Sequence, residues 1–410
     1  MFKKNIFFLN SLKYIFVSGI SKGLSYVLLL YFAVGDYSEQ YVTILLLLSL
    51  EQILSLILPL NQSSVIYSKS ISNYQNITNR LLTSSILISS LFVILFLIFK
   101  NSIYNYFQVN LVVVYVSILA NMLLNSYLVY LTNFYKVIEE HGKALLIQGL
   151  LLISFLSIII SILFIKNIII AFFLGKTIGL VIVVILVKFL KLTKFRFEIK
   201  VLSFKEIKQV ANLFSVSALG WLSSLGFMNI AKLNSTPEEL IKTGYILTLF
   251  NVFLLISIGV NSIYGPMIKK LLKQNEFSKA IKVKNNVLML YFFIAILAFL
   301  IYLLALNFNF GERIDQLISM IPYVILVYIF NVFHWVAQPY YFINNKFNKY
   351  NLMNTCSYIV WIVLIIICFN YGYHNYIWFL MFIHMLKGLM SYFYARKNFM
   401  SKSHVLIKGI

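Results

Sequence analysis

The sequence predicts an all-α polytopic membrane protein, with about twelve transmembrane helices in two six-helix lobes of similar orientation. Three observations carry this. Of 410 residues, 61% are hydrophobic and only 11% charged, too few to cover the outside of a soluble domain. Twelve apolar runs each approach the roughly 20 residues that a membrane-crossing helix needs. The basic residues also cluster in alternate loops.

In order, the runs are approximately 12–34, 41–60, 82–99, 111–131, 144–165, 167–187, 210–231, 243–265, 286–306, 318–341, 352–370 and 376–394. Only Lys166 and Asn167 separate the fifth from the sixth, so that pair is the least distinct. With the N-terminus inside, the cytoplasmic segments hold 25 Lys and Arg and the external ones 5. This bias places both termini in the cytoplasm and makes the span count even. The opening MFKKNIFFLN resembles a signal-peptide start, but no small-residue cleavage site follows it. It is expected to be retained.

The basic segment 188–209, KFLKLTKFRFEIKVLSFKEIKQ, divides the chain into 1–187 and 210–410, six spans each. Its interleaved apolar residues fit either a helix on the inner membrane surface or a positive loop that fixes topology. NQSSVIYSKS (61–70) and NSIYGPMIKK (261–270) place similar residues at the exits of the second and eighth spans. Two halves of equal orientation would be related by an axis along the membrane normal.

Several chemistries are excluded. The net charge of +22 reads as cytoplasmic loop charge and not as a nucleic-acid surface. Cys356 and Cys368 share one apolar run and have neither disulfide nor metal spacing. LGKTIG (174–179) ends like a phosphate-binding loop, but Ile170 stands where that loop requires glycine. The external loops are short, and Glu51 is the one carboxylate inside a span. Neither a catalytic residue, a metal site nor a cofactor is expected, and the function class is transport.

The candidate binding residues are the polar groups at membrane depth. Lys22 lies near the middle of the first span, on a face with Ser18, Gly19, Ser25 and Tyr26. Glu51, at similar depth on the second span, is expected to pair with Lys22, either to fix packing or to tune a cavity lysine. Lys176 is ambiguous. On the twelfth span His384, Lys387, Ser391 and Tyr394 form one stripe, where Lys387 either snorkels or faces a cavity. On the tenth span Asn331, His334, Gln338 and Tyr341 form another, where His334 is either a core group or a proton carrier. Asn251 and Ser262 on the eighth span would wet a cavity. Ser117, Asn121, Asn125 and Thr132 on the fourth suggest interhelical hydrogen bonds, and Lys13 is expected to snorkel. Four lysines against one glutamate within the spans suit an anionic passenger.

ISKGLSYVLLLYFAVGDYSEQYV (20–42) resembles the first signature of polysaccharide exporters of the multidrug/oligosaccharidyl-lipid/polysaccharide superfamily: a basic residue mid-helix, then a glycine-tyrosine turn, here Gly35 to Tyr41. WLSSLGFMNIAKLNSTPEELIKTGYILTLF (221–250) is similar to the family's seventh helix and following turn, with Gly244 and Tyr245 in place. Asn229 stands where members often carry an acid. Within the superfamily the chain looks most like the Wzx-type flippases of O-antigen and capsule clusters. That resemblance implies a V-shaped pair of lobes around a central cavity lined by helices 1, 2, 7 and 8, in the bacterial inner membrane. It implies a polyprenyl-pyrophosphate-linked oligosaccharide as passenger, surrounded by membrane lipids. The polysaccharide polymerase and chain-length machinery are candidate partners. A drug/cation antiporter, a lipid II flippase, a membrane glycan polymerase or ligase, and a membrane scaffold are the alternatives.

Overall fold

The computed structural model describes residues 2–57, 74–109, 112–138, 140–192, 203–204, 217–343, 347–373 and 375–397. The described residues form helices and turns. The exit sequence 61–70, most of the linker 188–209 and the start of the seventh span lie outside them. Ten helices are long and apolar enough to cross a membrane among the described residues, and a shorter apolar stretch, Gly19–Val34, belongs to the first helix.

By backbone contacts the chain divides into two units, each described by itself. One consists of Ile20–Val27 and Tyr37–Asn229, the other of Met1–Gly19, Leu28–Asp36 and Ile230–Ile410. The first helix, α1 (Phe2–Val34), contributes to both.

The first unit holds α2 (Ser38–Ile57), α3 (Tyr74–Ile98), the short α4 (Lys100–Phe107), α5 (Val112–Val137), α6 (His141–Leu150), α7 (Leu152–Phe164) and α8 (Ile168–Phe189). Helix α5 is its hub, touching α2, α3, α6 and α8. The two-residue spacer between the fifth and sixth runs does make a turn: the Asn167 side chain accepts from the Ile170 amide at 3.1 Å and caps α8. The helices then pack through small residues. A Cβ built at Gly175 would meet Ser161 Oγ at 2.7 Å and Ser157 O at 2.8 Å, and one at Gly179 would fall on the Ser154 backbone. Without water to drive association, close backbone approach supplies the packing energy, which gives the glycines of LGKTIG a role in helix contact.

The second unit holds α9 (Phe227–Asn234, beginning in the first unit), α10 (Pro237–Lys273), α11 (Phe277–Ala305), the short α12 (Glu312–Ser319), α13 (Ile321–Ile343), α14 (Phe347–Asn370) and α15 (Tyr376–Ala395). Helix α10 starts earlier than its apolar run because Thr-Pro-Glu-Glu supplies a capping box. Thr236 Oγ1 accepts from Glu239 N at 3.3 Å, and Thr236 N donates to Glu239 Oε2 at 2.9 Å. Helix α13 is the hub here, touching α10, α11, α14 and α15. Its crossing with α15 is tight, since a Cβ at Gly388 would fall on the Phe330 carbonyl. On the outer helix α11, Met289, Phe293, Ile296, Leu300 and Leu304 stay exposed at three- and four-residue spacing, a stripe suited to lipid.

Segment 100–110, read from sequence as a loop, contains the short helix α4, and in 307–317, also read as a loop, the short helix α12 begins. From α12, Arg313 reaches the end of α1, where its guanidinium donates to the Val34 and Gly35 carbonyls. Tyr245 donates to the neighbouring Ala33 carbonyl at 3.2 Å. Both satisfy acceptors that the helix end leaves open. Tyr245 of the second signature thus acts on the backbone of α1.

Candidate functional site

In the first unit the single ion pair at membrane depth among the described residues joins Glu51 of α2 to Lys176 of α8, Nζ to Oε1 at 2.6 Å. The expected Lys22–Glu51 pair lies outside the described residues. The packing of α8 beside α2 brings Lys176 to the carboxylate. The side chain of Lys22 lies outside the described residues, although its backbone is helical. Glu51 is only 7% exposed, and its Oε2 makes no hydrogen bond among the described residues. The pair is therefore held through one oxygen in a poorly solvated place. Thr177, next to Lys176, donates to Asn121 Oδ1 at 2.8 Å, and Asn121 Nδ2 donates to the Phe173 carbonyl at 3.4 Å. The α5–α8 hydrogen bonding expected of Asn121 is present, whereas Thr132 turns back to its own helix at Leu128 O.

Asn229 has three hydrogen bonds. Its Oδ1 accepts from the Tyr106 hydroxyl at 2.9 Å, and its Nδ2 donates to Ser49 Oγ at 2.8 Å and Gly226 O at 3.3 Å. Trp221 Nε1 donates to Ser49 O at 2.9 Å. A neutral amide thus joins α2, α4 and α9.

In the second unit the two polar stripes read separately from sequence face each other. Asn331 Nδ2 meets His384 Nδ1 at 2.5 Å and also donates to Val327 O at 3.0 Å. His334 Nδ1 lies 3.0 Å from Ser391 Oγ, and its Nε2 lies 2.8 Å from the Tyr350 hydroxyl of α14. Tyr341 donates to Ser391 O at 2.9 Å, and its ring stacks on Tyr394. Tyr350 was not singled out from sequence; it lies in a mixed apolar-polar run with no stripe of its own. Lys387, 8% exposed, lies in this cluster within electrostatic range of His334 and has no hydrogen-bond or ion-pair partner among the described residues. Asn251 of α10 points back to its own helix at Leu247 O, 2.8 Å away. The side chain of Ser262 lies outside the described residues, and Lys13 is exposed. Cys356 and Cys368 are free, and no group of metal-ligating side chains exists among the described residues.

No family model and no curated protein sequence matches the chain. Solved structures do. A MATE family multidrug resistance transporter of the MOP superfamily, in its outward-facing conformation, superposes with a TM-score of 0.64 at 12% identity over 97% of this chain and 96% of its own. A MOP superfamily transporter from Pyrococcus furiosus gives 0.66 at 11% identity over 96% of both chains; it is described as having a binding pocket of reversed polarity that suggests a different function. The eukaryotic MATE transporter AtDTX14 gives 0.60 at 11% over 97% and 98%. The chain has the MATE-type transporter fold.

Proposed function

We propose that this protein is a flippase that carries polyprenyl-pyrophosphate-linked oligosaccharide repeat units from the cytoplasmic to the outer leaflet of a bacterial inner membrane. Transport proceeds by alternating access, as the transporter fold supports. The carrying observation is the sign of the charge left at membrane depth. Glu51 is already engaged by Lys176, and Lys387 is buried without a carboxylate partner among the described residues. A cation carrier needs a carboxylate that is free to bind its cargo; an anionic head group needs cations that are not already neutralised. The neighbour described as having a binding pocket of reversed polarity supports this reading.

In this reading Lys22 is the anchor for the pyrophosphate. Lys176 exchanges Glu51 for phosphate when the head group enters, and Lys387 and His334 contribute a second anionic contact. Asn251 belongs to the polar surface for sugar hydroxyls. The lipid tail stays in the bilayer while the head crosses. With the cell interior negative, outward movement of an anion is favourable by about 2.3 kcal/mol per charge per 100 mV. The finished units would pass to the polysaccharide polymerase and chain-length machinery.

The test is the leaflet location of lipid-linked glycan in cells lacking this protein. Accumulation of complete units on the cytoplasmic face, relieved by the wild-type chain and not by Lys22→Ala at equal membrane abundance, supports the reading. Units that reach the outer face and stay unpolymerised would remove it. The multidrug reading, which the neighbours' names favour, predicts instead that loss changes resistance to organic cations and leaves glycan location unaltered.

A further inference from the structure

Helix α11 carries two kinds of residue on the face it turns away from the bundle. Its buried face is Ala280, Val287, Tyr291 and Ala295, at four- and seven-residue spacing. On the opposite side Lys282, Asn286, Met289 and Phe293 begin an exposed line that ends at Leu304. At about 1.5 Å per residue, the apolar part from Met289 to Leu304 covers about 22 Å, and Lys282 stands about 10 Å beyond it. A hydrocarbon core is about 30 Å thick and is flanked on each side by a polar head-group layer. An apolar stripe in the core therefore puts Lys282 level with the head groups, with its aliphatic stem against the end of the stripe.

The charge at this level is nearly all of one sign. Helix α10 ends at Lys273 and α11 begins at Phe277, across a turn closed by the Glu276 amide, which donates to the Leu271 carbonyl at 2.9 Å. Around this hairpin, residues 262–289 hold six lysines and one carboxylate. That carboxylate, Glu276, lies 2.7 Å from Lys279 in a pair whose lysine side chain is 69% exposed. A pair so open to water is weak and can exchange its anion. Glu276 stands six residues before Lys282 and so on another face of the helix, since neighbours along a face are three or four apart. The next carboxylate along the chain is Glu312, beyond the far end of α11.

We infer that the outer face of α11 holds an anionic phospholipid of the surrounding leaflet, with its phosphate at Lys282 and an acyl chain along the stripe from Met289 to Leu304. Lys282 supplies the charge, the exposed Asn286 amide is a donor for a phosphate oxygen, and Lys279 adds its charge by exchanging Glu276 for the head group. The match is in two parts. Free phosphate lacks the chain that the stripe would cover. A zwitterionic head group carries its own cation beside the phosphate and gains less from lysines. The loop-charge bias puts this end of α11 at the inner leaflet, where a basic residue near the surface contributes about fivefold to the binding of anionic lipid. The inference uses residues of α11 alone and stands apart from the identity of the cargo.

The probes are phosphatidylglycerol and phosphatidylcholine analogues that carry the same photoreactive acyl chain. The purified full-length protein, in phosphatidylcholine vesicles at low salt, is labelled with each, and label on the α11 peptide is quantified by mass spectrometry. Wild type should take the phosphatidylglycerol label about fivefold more than the phosphatidylcholine label, and about 1 M salt should abolish the difference. Lys282→Gln should bring the two labels together while the phosphatidylcholine label on α11 keeps its wild-type level, which also reports that the variant is folded. Equal labelling of wild type by the two head groups, or an undiminished preference in Lys282→Gln, would overturn the inference. So would absence of both labels from α11, as a second copy seated on the stripe would cause. Displacement of the label by polyprenyl pyrophosphate far below the phospholipid concentration would give the face to the cargo and overturn it too. The head-group comparison on wild type needs no variant, so a misfolded substitution leaves the test decisive.

Discussion

Replacing Lys176 with methionine should destabilise the protein through the partner it leaves behind. Two unit charges about 4 Å apart interact by roughly 4 kcal/mol at an effective dielectric of about 20. Lys176 and Glu51 are closer, at 2.6 Å between Nζ and Oε1, and the carboxylate is the more buried, 9% of its side chain being exposed against 21% of the lysine's. Glu51 Oε2 has no hydrogen bond among the described residues, so the contact with Lys176 is its described support. Removing one member of a buried pair costs about 3–5 kcal/mol, because the remaining charge is uncompensated. The partly exposed lysine places this pair near the lower bound, about 3 kcal/mol. At roughly 2–4 °C per kcal/mol for a unit of this size, Tm should fall by about 6–12 °C in Lys176→Met. Glu51→Gln in the same chain should recover most of the loss, since a neutral amide leaves no buried charge. Thermal unfolding of the purified protein in one detergent reads all three chains. An unchanged Tm in Lys176→Met, or a double variant no more stable than the single one, would refute the reasoning.

Further predictions follow from packing and capping. Gly179→Leu forces α7 and α8 apart, because even a Cβ there falls on the Ser154 backbone; it should cost about 2 kcal/mol or more and lower the yield of folded protein on size-exclusion chromatography. Thr236→Val removes the side-chain acceptor of the Glu239 amide and should cost about 1 kcal/mol, measured by thermal unfolding, with Thr236→Ser close to wild type. Phe293→Asp places a charge on the exposed stripe of α11 and should weaken membrane insertion by about 2.5–3.5 kcal/mol, read as the fraction of chain integrated in microsomes.

Two expectations shared one weakness. Helical periodicity places Lys22 on a small-residue face and Glu51 at matching depth, but it does not show that Lys176 meets the carboxylate. The answer lies 125 residues away in sequence, on α8. The glycines of LGKTIG carried a packing signal that a chemical-motif reading misses. Their significance depends on Ser154, Ser157 and Ser161 lying opposite, on a helix whose own sequence is simply apolar with serines interspersed.

The sequence by itself determined the class of the protein, most of its spans and the face of each helix that carries polar groups, because hydrophobicity and the helical repeat are local properties. It placed His334 on one stripe and Lys387 on another. Tertiary structure alone decided that these stripes meet, that Tyr350 completes the shell of His334, and that Lys387 is buried without a counterion among the described residues. The physical reason is that a helix presents its polar face wherever the neighbouring backbone lets it approach. That approach is set between α13 and α15 by the absent side chain of Gly388 against the Phe330 carbonyl, a fit that neither helix specifies alone.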